Sequence, residues 1–341
     1  MRARFIADAW PWQRQLPEGS HHWRDVEFVF DDSDHYDAAV VFGLPSRELD
    51  LGVPAERTYF VASEPPTVHR YDDRFLRQFG TVITCDAQTR HPRKFVHQVG
   101  LPWHLGVWAD TGQFRANAYT FEQLARLDPP KTKLVSVVTS DKAFTKQHRT
   151  RLAFVDTLTQ RLGDVVDVFG RGIATFVDKA EIVEPYRFHV AIENCSVPHY
   201  WSEKLADPIL ALSYPIYHGA PNVGGYFPSG SLTSIDIRHP DRAIAIISQA
   251  LESEADRAGE EALRVARDAV LRRHNLFAVL ACRLRADGAH RPYSPGRSRI
   301  RTEASVRSPF AAARTRALLL PRQAAEKTSG GRRLRNLRSR L

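Results

Sequence analysis

Polar side chains at the ends of two predicted elements have the chemistry of a phosphate-binding site. The apolar, β-branched run Phe188–Ile192 is typical of a buried strand, and it ends abruptly in Glu193-Asn194. A loop then leads to Glu203-Lys204, in the first turn of a predicted helix that Ser202 would cap. If this loop–helix junction faces a cleft, backbone N–H groups and the lysine ammonium together form a site for a diphosphate.

Two side chains beside this junction suit the rest of a nucleotide, and each also has a plainer interpretation. The Glu203 carboxylate can accept hydrogen bonds from ribose hydroxyls, and the Asn194 amide can bind the same ligand. Alternatively, Asn194 is an ordinary loop amide. Glu203 and Lys204 would then be adjacent surface residues without mutual contact, because neighbours at i and i+1 on a helix do not face each other.

Two further candidates come from distant parts of the chain. Glu64 follows the predicted strand Thr58–Ala62 and precedes two prolines, which hold the turn extended and point the carboxylate into whatever cleft the strand ends form. Arg151 lies at the edge of the apolar face of a predicted helix, Gln147–Leu162, and a guanidinium can bind phosphate oxygens in two places. An exposed turn residue and a solvated arginine are the alternatives, and Arg149 is a rival to Arg151.

The elements that must position these residues form two alternating α/β units. We expect an N-terminal α/β domain over residues 1–125 and a second α/β domain over residues 126–284, because strand-like runs alternate with helical patterns in both. After residue 285 the composition shifts to Arg, Ser, Pro, Ala and Gly. Residues 285–341 are therefore predicted to be a basic tail, disordered or partly helical.

Composition and charge exclude several classes of protein. The 341 residues are 43% hydrophobic and 26% charged, which is typical of a globular protein. The three cysteines are far apart and fit neither a disulfide framework nor a metal site. No apolar run reaches the length of a membrane span, and no signal peptide precedes the first domain, so a cytoplasmic protein is expected.

The segment from Tyr186 to Gly230 resembles the donor-binding region of the α1,3-fucosyltransferase family, glycosyltransferase family 10, in its bacterial form. The shared elements follow one order: Glu193-Asn194, then Tyr200-x-x-Glu203-Lys204-Leu205, then Pro215-Ile216-Tyr217-His218-Gly219, then Phe227-Pro228. The similarity extends more weakly over residues 133–236 and thinly back to Glu64.

This resemblance implies a fold, a reaction and a role for each candidate. The fold would be GT-B-like, with two Rossmann-like domains facing a cleft. The reaction would be an inverting, metal-independent transfer of fucose from GDP-fucose to a glycan hydroxyl, of α1,3 type, with no cofactor. Glu64 would be the catalytic base. The donor would be bound by the remaining candidates, which are Arg151, Asn194, Tyr200, Glu203 and Lys204.

Other interpretations stay open at this stage. The same fold could use another nucleotide sugar, because no sugar-reading residue is identified. The net charge of +9 and the arginine-rich end also fit a nucleic-acid-binding protein, although no reading motif is present. The apolar patch at 317–320 could contact anionic lipid peripherally at the inner membrane, but a solvated tail is favoured. Asp32-Ser33-Asp34 matches a loose metal-binding pattern, but its early position in a loop argues against a metal site.

Overall fold

Two parallel sheets form the framework of the molecule in a computed structural model that describes residues 1–32, 35–139, 146–170 and 172–307. The first sheet has seven strands and the second has five. The predicted GT-B-like α/β class, with two Rossmann-like halves, is confirmed. No helix in these ranges is long and apolar enough to cross a membrane.

The first sheet is parallel except for one edge hairpin. Its strand order is β2-β3-β1-β4-β6-β7-β8, with β2 antiparallel to β3. The central strands are continuous apolar runs, as expected of strands buried on both faces. The strands of this half are β1 Arg2–Ile6, β2 His22–Trp23, β3 Val26–Val29, β4 Ala38–Phe42, β5 Leu49–Leu51, β6 Thr58–Val61, β7 Thr81–Thr84 and β8 Lys94–Val96.

The second sheet is parallel throughout, in the order β10-β9-β11-β12-β13. Because β9 lies between β10 and β11, the strand order reverses at β9, with β10 on one side of it and the later strands on the other. Open α/β sheets bind ligands at such a reversal. The sequence predicts strands at 134–138, 165–169, 188–192, 214–217 and 231–237. The first four match the observed strands closely, whereas the last pairs over only two residues. The strands are β9 Lys133–Val138, β10 Val166–Phe169, β11 Tyr186–Ile192, β12 Tyr214–His218 and β13 Thr233–Ser234.

Helices cover both sheets and join them. The helical period over 255–283 predicts one or two long helices, but Gly259 and a capping residue, Asn275, divide the stretch into three helices with a π-helical turn, Ala269–Arg273, between the last two. The helices are α1 Asp73–Leu76, α2 Phe121–Arg126, α3 Lys146–Leu162, α4 Ala180–Val183, α5 Glu203–Leu210, α6 Pro240–Glu252, α7 Ala255–Ala258, α8 Glu260–Asp268, α9 Leu276–Ala286 and α10 Glu303–Val306.

The end of the described chain returns to the first half. Phe277 of α9 packs against Phe5 and Phe28, with ring centroids 5.3 and 4.9 Å apart. A last strand, β14 Ser298–Ile300, pairs antiparallel with β5. The buried Glu303 carboxylate accepts the Asp72 N–H at 2.7 Å and lies 2.9 Å from the His69 ring.

These contacts correct the predicted start of the tail. Residues 285–307 are not a disordered tail, because they form β14 and α10 and pack on the first sheet. This stretch is rich in arginine and has no local apolar pattern, so its packing against the first half could not be predicted from the sequence. Residues 308–341, including the patch at 317–320, lie outside the described residues.

Candidate functional site

The N-terminus of α5 is fixed by a buried carboxylate. Ser202 caps the helix, and its N–H and hydroxyl both donate to Glu193, at 2.7 Å each. Burial raises the pKa of Glu193 to about 7, although Lys204 and the two Ser202 hydrogen bonds oppose the rise. The side chain expected to be structural therefore positions the first turn of α5.

Glu203 and Lys204 form a partly buried ion pair. Lys204 Nζ donates to Glu203 Oε1 at 2.7 Å, and the two side chains are 23% and 17% exposed. The alternative of two surface residues without contact is therefore wrong. Burial alone would raise the pKa of Glu203 and lower that of Lys204, but their mutual attraction outweighs it and both remain charged.

Arg151 lies within electrostatic reach of this pair. It is 9% exposed on α3, and burial lowers the pKa of its guanidinium. Its positive charge opposes the rise in the pKa of Lys204, so the two cations are within electrostatic reach of each other. The rival Arg149 is exposed, so the geometry favours Arg151.

Glu64 reaches the same region from the first half of the molecule. It is exposed in the turn after β6, where its N–H donates to the Tyr71 hydroxyl at 3.1 Å. Burial raises the pKa of the Tyr200 hydroxyl, and the charges of Glu193, Glu203 and Glu64 add to the rise. The Glu64 charge is therefore within electrostatic reach of Tyr200.

The loops after β6 and β11 also touch directly. Thr67 lies close enough to Cys195 to oppose the rise that burial causes in the pKa of that thiol, and Cys195 packs in one buried cluster with Cys85 and Tyr200. Asn194 is half-buried in this loop, between Glu193 and Cys195. Thus the carboxyl ends of strands from both sheets meet at one place.

Sequence reasoning missed two basic side chains that join the site. The charges of His104 and Lys179 both help to lower the pKa of Glu203. The His104 ring lies 4.7 Å from the Trp10 ring, which brings the loop after β1 to the same cleft. Neither residue lies near the motif in sequence, so no local signal could have identified them.

Two buried aspartates of the second half hold the segment that connects the halves. Asp207 accepts the N–H groups of His104 and Leu105 at 3.0 and 3.3 Å. Asp178 accepts the next three N–H groups of the chain, from residues 106–108, at 2.6–2.8 Å. From the other side, the Arg14 guanidinium donates to the carbonyl oxygen of Leu105 at 2.5 Å. These contacts fix the spacing of the cleft.

Within the described ranges, no group of three or more His, Cys, Asp or Glu side chains is placed to hold a metal ion. Two members of the acidic triplet, Ser33 and Asp34, lie outside those ranges. The sequence contains a second acidic cluster, Asp72-Asp73, and both of its residues have structural partners. Asp72 caps α1 by accepting the Arg74 N–H at 2.8 Å, and Asp73 pairs with Arg90.

Comparison with known proteins points to one family. Residues 128–256 match the model of "Glycosyltransferase family 10 (fucosyltransferase) C-term". Among solved structures, an α1,3-fucosyltransferase with GDP is 17% identical, over 76% of this chain and 81% of that one, with a TM-score of 0.44. An α1,3-fucosyltransferase with GDP-fucose is 18% identical, over 75% of this chain and 80% of that one, with a TM-score of 0.44.

A trehalose-6-phosphate structure from E. coli with bound UDP-2-fluoro glucose is 9% identical, over 77% of this chain and 75% of that one, with a TM-score of 0.46. All three TM-scores are below 0.5, so the assignment is based on the family match alone. That match spans the second sheet from before β9 through α6, and so includes the helices that carry Arg151 and Lys204. The second half of the chain, over residues 128–256, therefore matches glycosyltransferase family 10, and this match indicates that the protein is a glycosyltransferase.

Proposed function

We propose that the protein transfers fucose from GDP-fucose to a hydroxyl of a glycan acceptor, with inversion at the anomeric carbon and an α1,3-type linkage. The observation that carries the proposal is the convergence of Arg151, Glu203 and Lys204 at the carboxyl end of the second sheet, with Glu64 facing them from the first. The family match of residues 128–256 supports the choice of donor.

In this mechanism the second half binds the nucleotide. Lys204 and Arg151 bind the diphosphate, with the α5 N-terminus contributing backbone N–H groups. Glu203 and Asn194 accept or donate hydrogen bonds to the remaining polar groups of GDP. Tyr200 is buried beneath them. The Glu203–Lys204 ion pair keeps the lysine charged and oriented before the donor arrives.

In the chemical step Glu64 removes the proton of the acceptor hydroxyl. The acceptor oxygen forms a bond to the anomeric carbon while the bond to the β-phosphate oxygen breaks, and GDP leaves with the electron pair. The transition state resembles an oxocarbenium ion. Negative charge grows on the departing diphosphate, and Lys204 and Arg151 stabilise it as fixed cations, without a metal ion in the proposed mechanism.

Two substitutions separate binding from chemistry. Glu64→Gln should leave GDP affinity unchanged and lower turnover about 10²–10⁴-fold, because only the proton acceptor is lost. Lys204→Ala should weaken GDP binding about 10- to 100-fold, because a hydrogen bond between charged groups is removed. Calorimetric titration with GDP and a labelled-fucose transfer assay measure the two effects, and added EDTA should leave the rate unchanged.

Two matched controls lie at the amino-terminal ends of strands, away from the proposed site. Glu56→Gln changes an exposed carboxylate near the opposite end of β6, and Lys133→Ala changes an exposed lysine at the start of β9. Both should behave like the wild type. Full turnover in Glu64→Gln would remove Glu64 from the mechanism, and undiminished GDP affinity in Lys204→Ala would refute the donor site. Tighter binding of UDP than of GDP would indicate a different nucleotide sugar.

A further inference from the structure

A cavity of about 230 Å³ opens at the carboxyl ends of β1, β3 and β4 in the first sheet. Its apolar wall includes Phe30 and Phe42, and its rim carries exposed polar side chains, Asp8 and Arg47 among them. Arg4 also lines it, and the buried Nε of Arg4 has no hydrogen-bond partner among the described residues. A ligand that supplies a hydrogen-bond acceptor to such a buried, unpaired donor would bind more favourably.

The cavity lies beside the proposed catalytic base. β6, which precedes Glu64, pairs with β4, whose last residues line the cavity. The turn after β4 stays close to the turn that holds Glu64, because Gly43 N–H donates to the Val61 carbonyl at 3.0 Å. Neighbouring strands are about 4.8 Å apart, so a ligand in the cavity lies near Glu64.

The loop after β1 connects the cavity to the donor-binding residues. Asp8 lines the cavity, and two residues later Trp10 packs on His104. His104 is within electrostatic reach of Glu203 and Lys204. The cavity, Glu64 and the donor-binding residues therefore border one cleft.

The size and lining of the cavity suit one sugar ring. Drug-sized ligands occupy pockets of roughly 300–1,000 Å³, and this cavity is smaller. Aromatic rings can pack against the apolar face of a sugar, while carboxylates and guanidinium groups hydrogen-bond its hydroxyls.

The charges select further among sugars. Three aspartates, at positions 8, 31 and 32, face two arginines, and Arg4 is already paired with Asp32. On this basis, and resting on the proposed function, we infer that the cavity is the acceptor subsite and takes a single terminal sugar that is neutral or amino-substituted, in preference to an acidic sugar.

Three monosaccharides that differ in charge test the inference: galactose, glucosamine and glucuronic acid. Each is titrated into the full chain with GDP bound, and binding is followed by saturation-transfer NMR. Galactose and glucosamine should bind, and glucuronic acid should bind about tenfold more weakly because of like-charge repulsion. Asp8→Asn should weaken glucosamine binding about three- to tenfold and leave GDP affinity unchanged.

The matched control is Asp164→Asn, an exposed aspartate of the second half outside the cavity, which should bind all three sugars like the wild type. Glucuronic acid binding as tightly as galactose would overturn the charge preference, and unchanged glucosamine binding in Asp8→Asn would overturn the location. If GDP binds and none of the sugars does, the inference fails while the proposed donor site stands. Failure to bind GDP refutes the proposed function itself.

Discussion

Asp207 shows how burial of one carboxyl group links the cleft to pH. It is fully buried, and burial raises its pKa to about 7, with Lys179 opposing and Glu203 adding to the rise. An unfolded aspartate ionises near pH 4. Between about pH 4 and 7 the folded protein therefore holds a proton that the unfolded chain has lost. This contribution to stability is present at low pH and is lost as the pH rises through 7.

Asp207→Asn should remove that dependence, because an amide oxygen can still accept the His104 and Leu105 N–H groups but does not titrate. The melting temperature of the wild type minus that of the variant should fall as the pH is raised from 5 to 8. A pKa that differs by one between the folded and unfolded protein changes the free energy of unfolding by about 1.4 kcal/mol. Scanning calorimetry at four pH values measures the trend. A constant difference would contradict the assignment.

At the scale of single elements, the N-terminus of α5 couples helix capping to ligand binding. Ser202→Ala removes the hydroxyl that caps the helix and donates to Glu193. We expect a loss of about 1–3 kcal/mol in the free energy of unfolding and weaker GDP binding, because Lys204 stands in the turn that loosens. Denaturant unfolding and calorimetric titration measure the two effects.

The capping box of α2 offers the matched comparison. Thr120 caps that helix by accepting the Gln123 N–H, far in sequence from the nucleotide-binding loops. Thr120→Ala should lower the free energy of unfolding by a similar amount, about 1 kcal/mol, with no change in GDP affinity. Equal GDP affinities in the two alanine variants would show that α5 capping does not position Lys204.

The elements that the sequence predicted well are those with a strong local pattern. β4 is a continuous apolar run, and the mostly apolar β11 is followed by Glu193-Asn194, so the position of both strands and the candidate site at the end of β11 could be predicted. β1 could not, because its arginines suggest an exposed segment. In the structure Ala3 and Phe5 point into the core, while Arg2 pairs with Glu27.

Parts of the structure that depend on distant partners stayed hidden. β14 exists only because β5 pairs with it from more than 240 positions away. Lys179 and His104 join the site through the packing of the two halves. This packing cannot be predicted from any short stretch of the sequence. Gly259 and Asn275 were local signals of the broken C-terminal helix, and a closer weighting of both would have found the breaks.

On the scale of the whole molecule, α9 makes the first half dependent on the end of the chain. Phe277→Ala removes a fully buried ring from the core around Phe5 and Phe28, and it should lower the free energy of unfolding by about 3–5 kcal/mol. Denaturant unfolding of the full chain measures the loss. Val265→Ala shortens a side chain of α8 that is 49% exposed, and it should lower the free energy of unfolding far less. Similar losses would contradict the role of Phe277.

The return of α9 and β14 to the first half of the molecule also sets an order of events during synthesis. A ribosome makes β1 to β8 first, yet their core lacks Phe277 and β5 lacks its partner strand β14 until about 300 residues have been made. The second sheet needs no such late segment for its strand pairing, so it can assemble while the earlier half still waits. The portion of the enzyme translated first is thus the portion completed last.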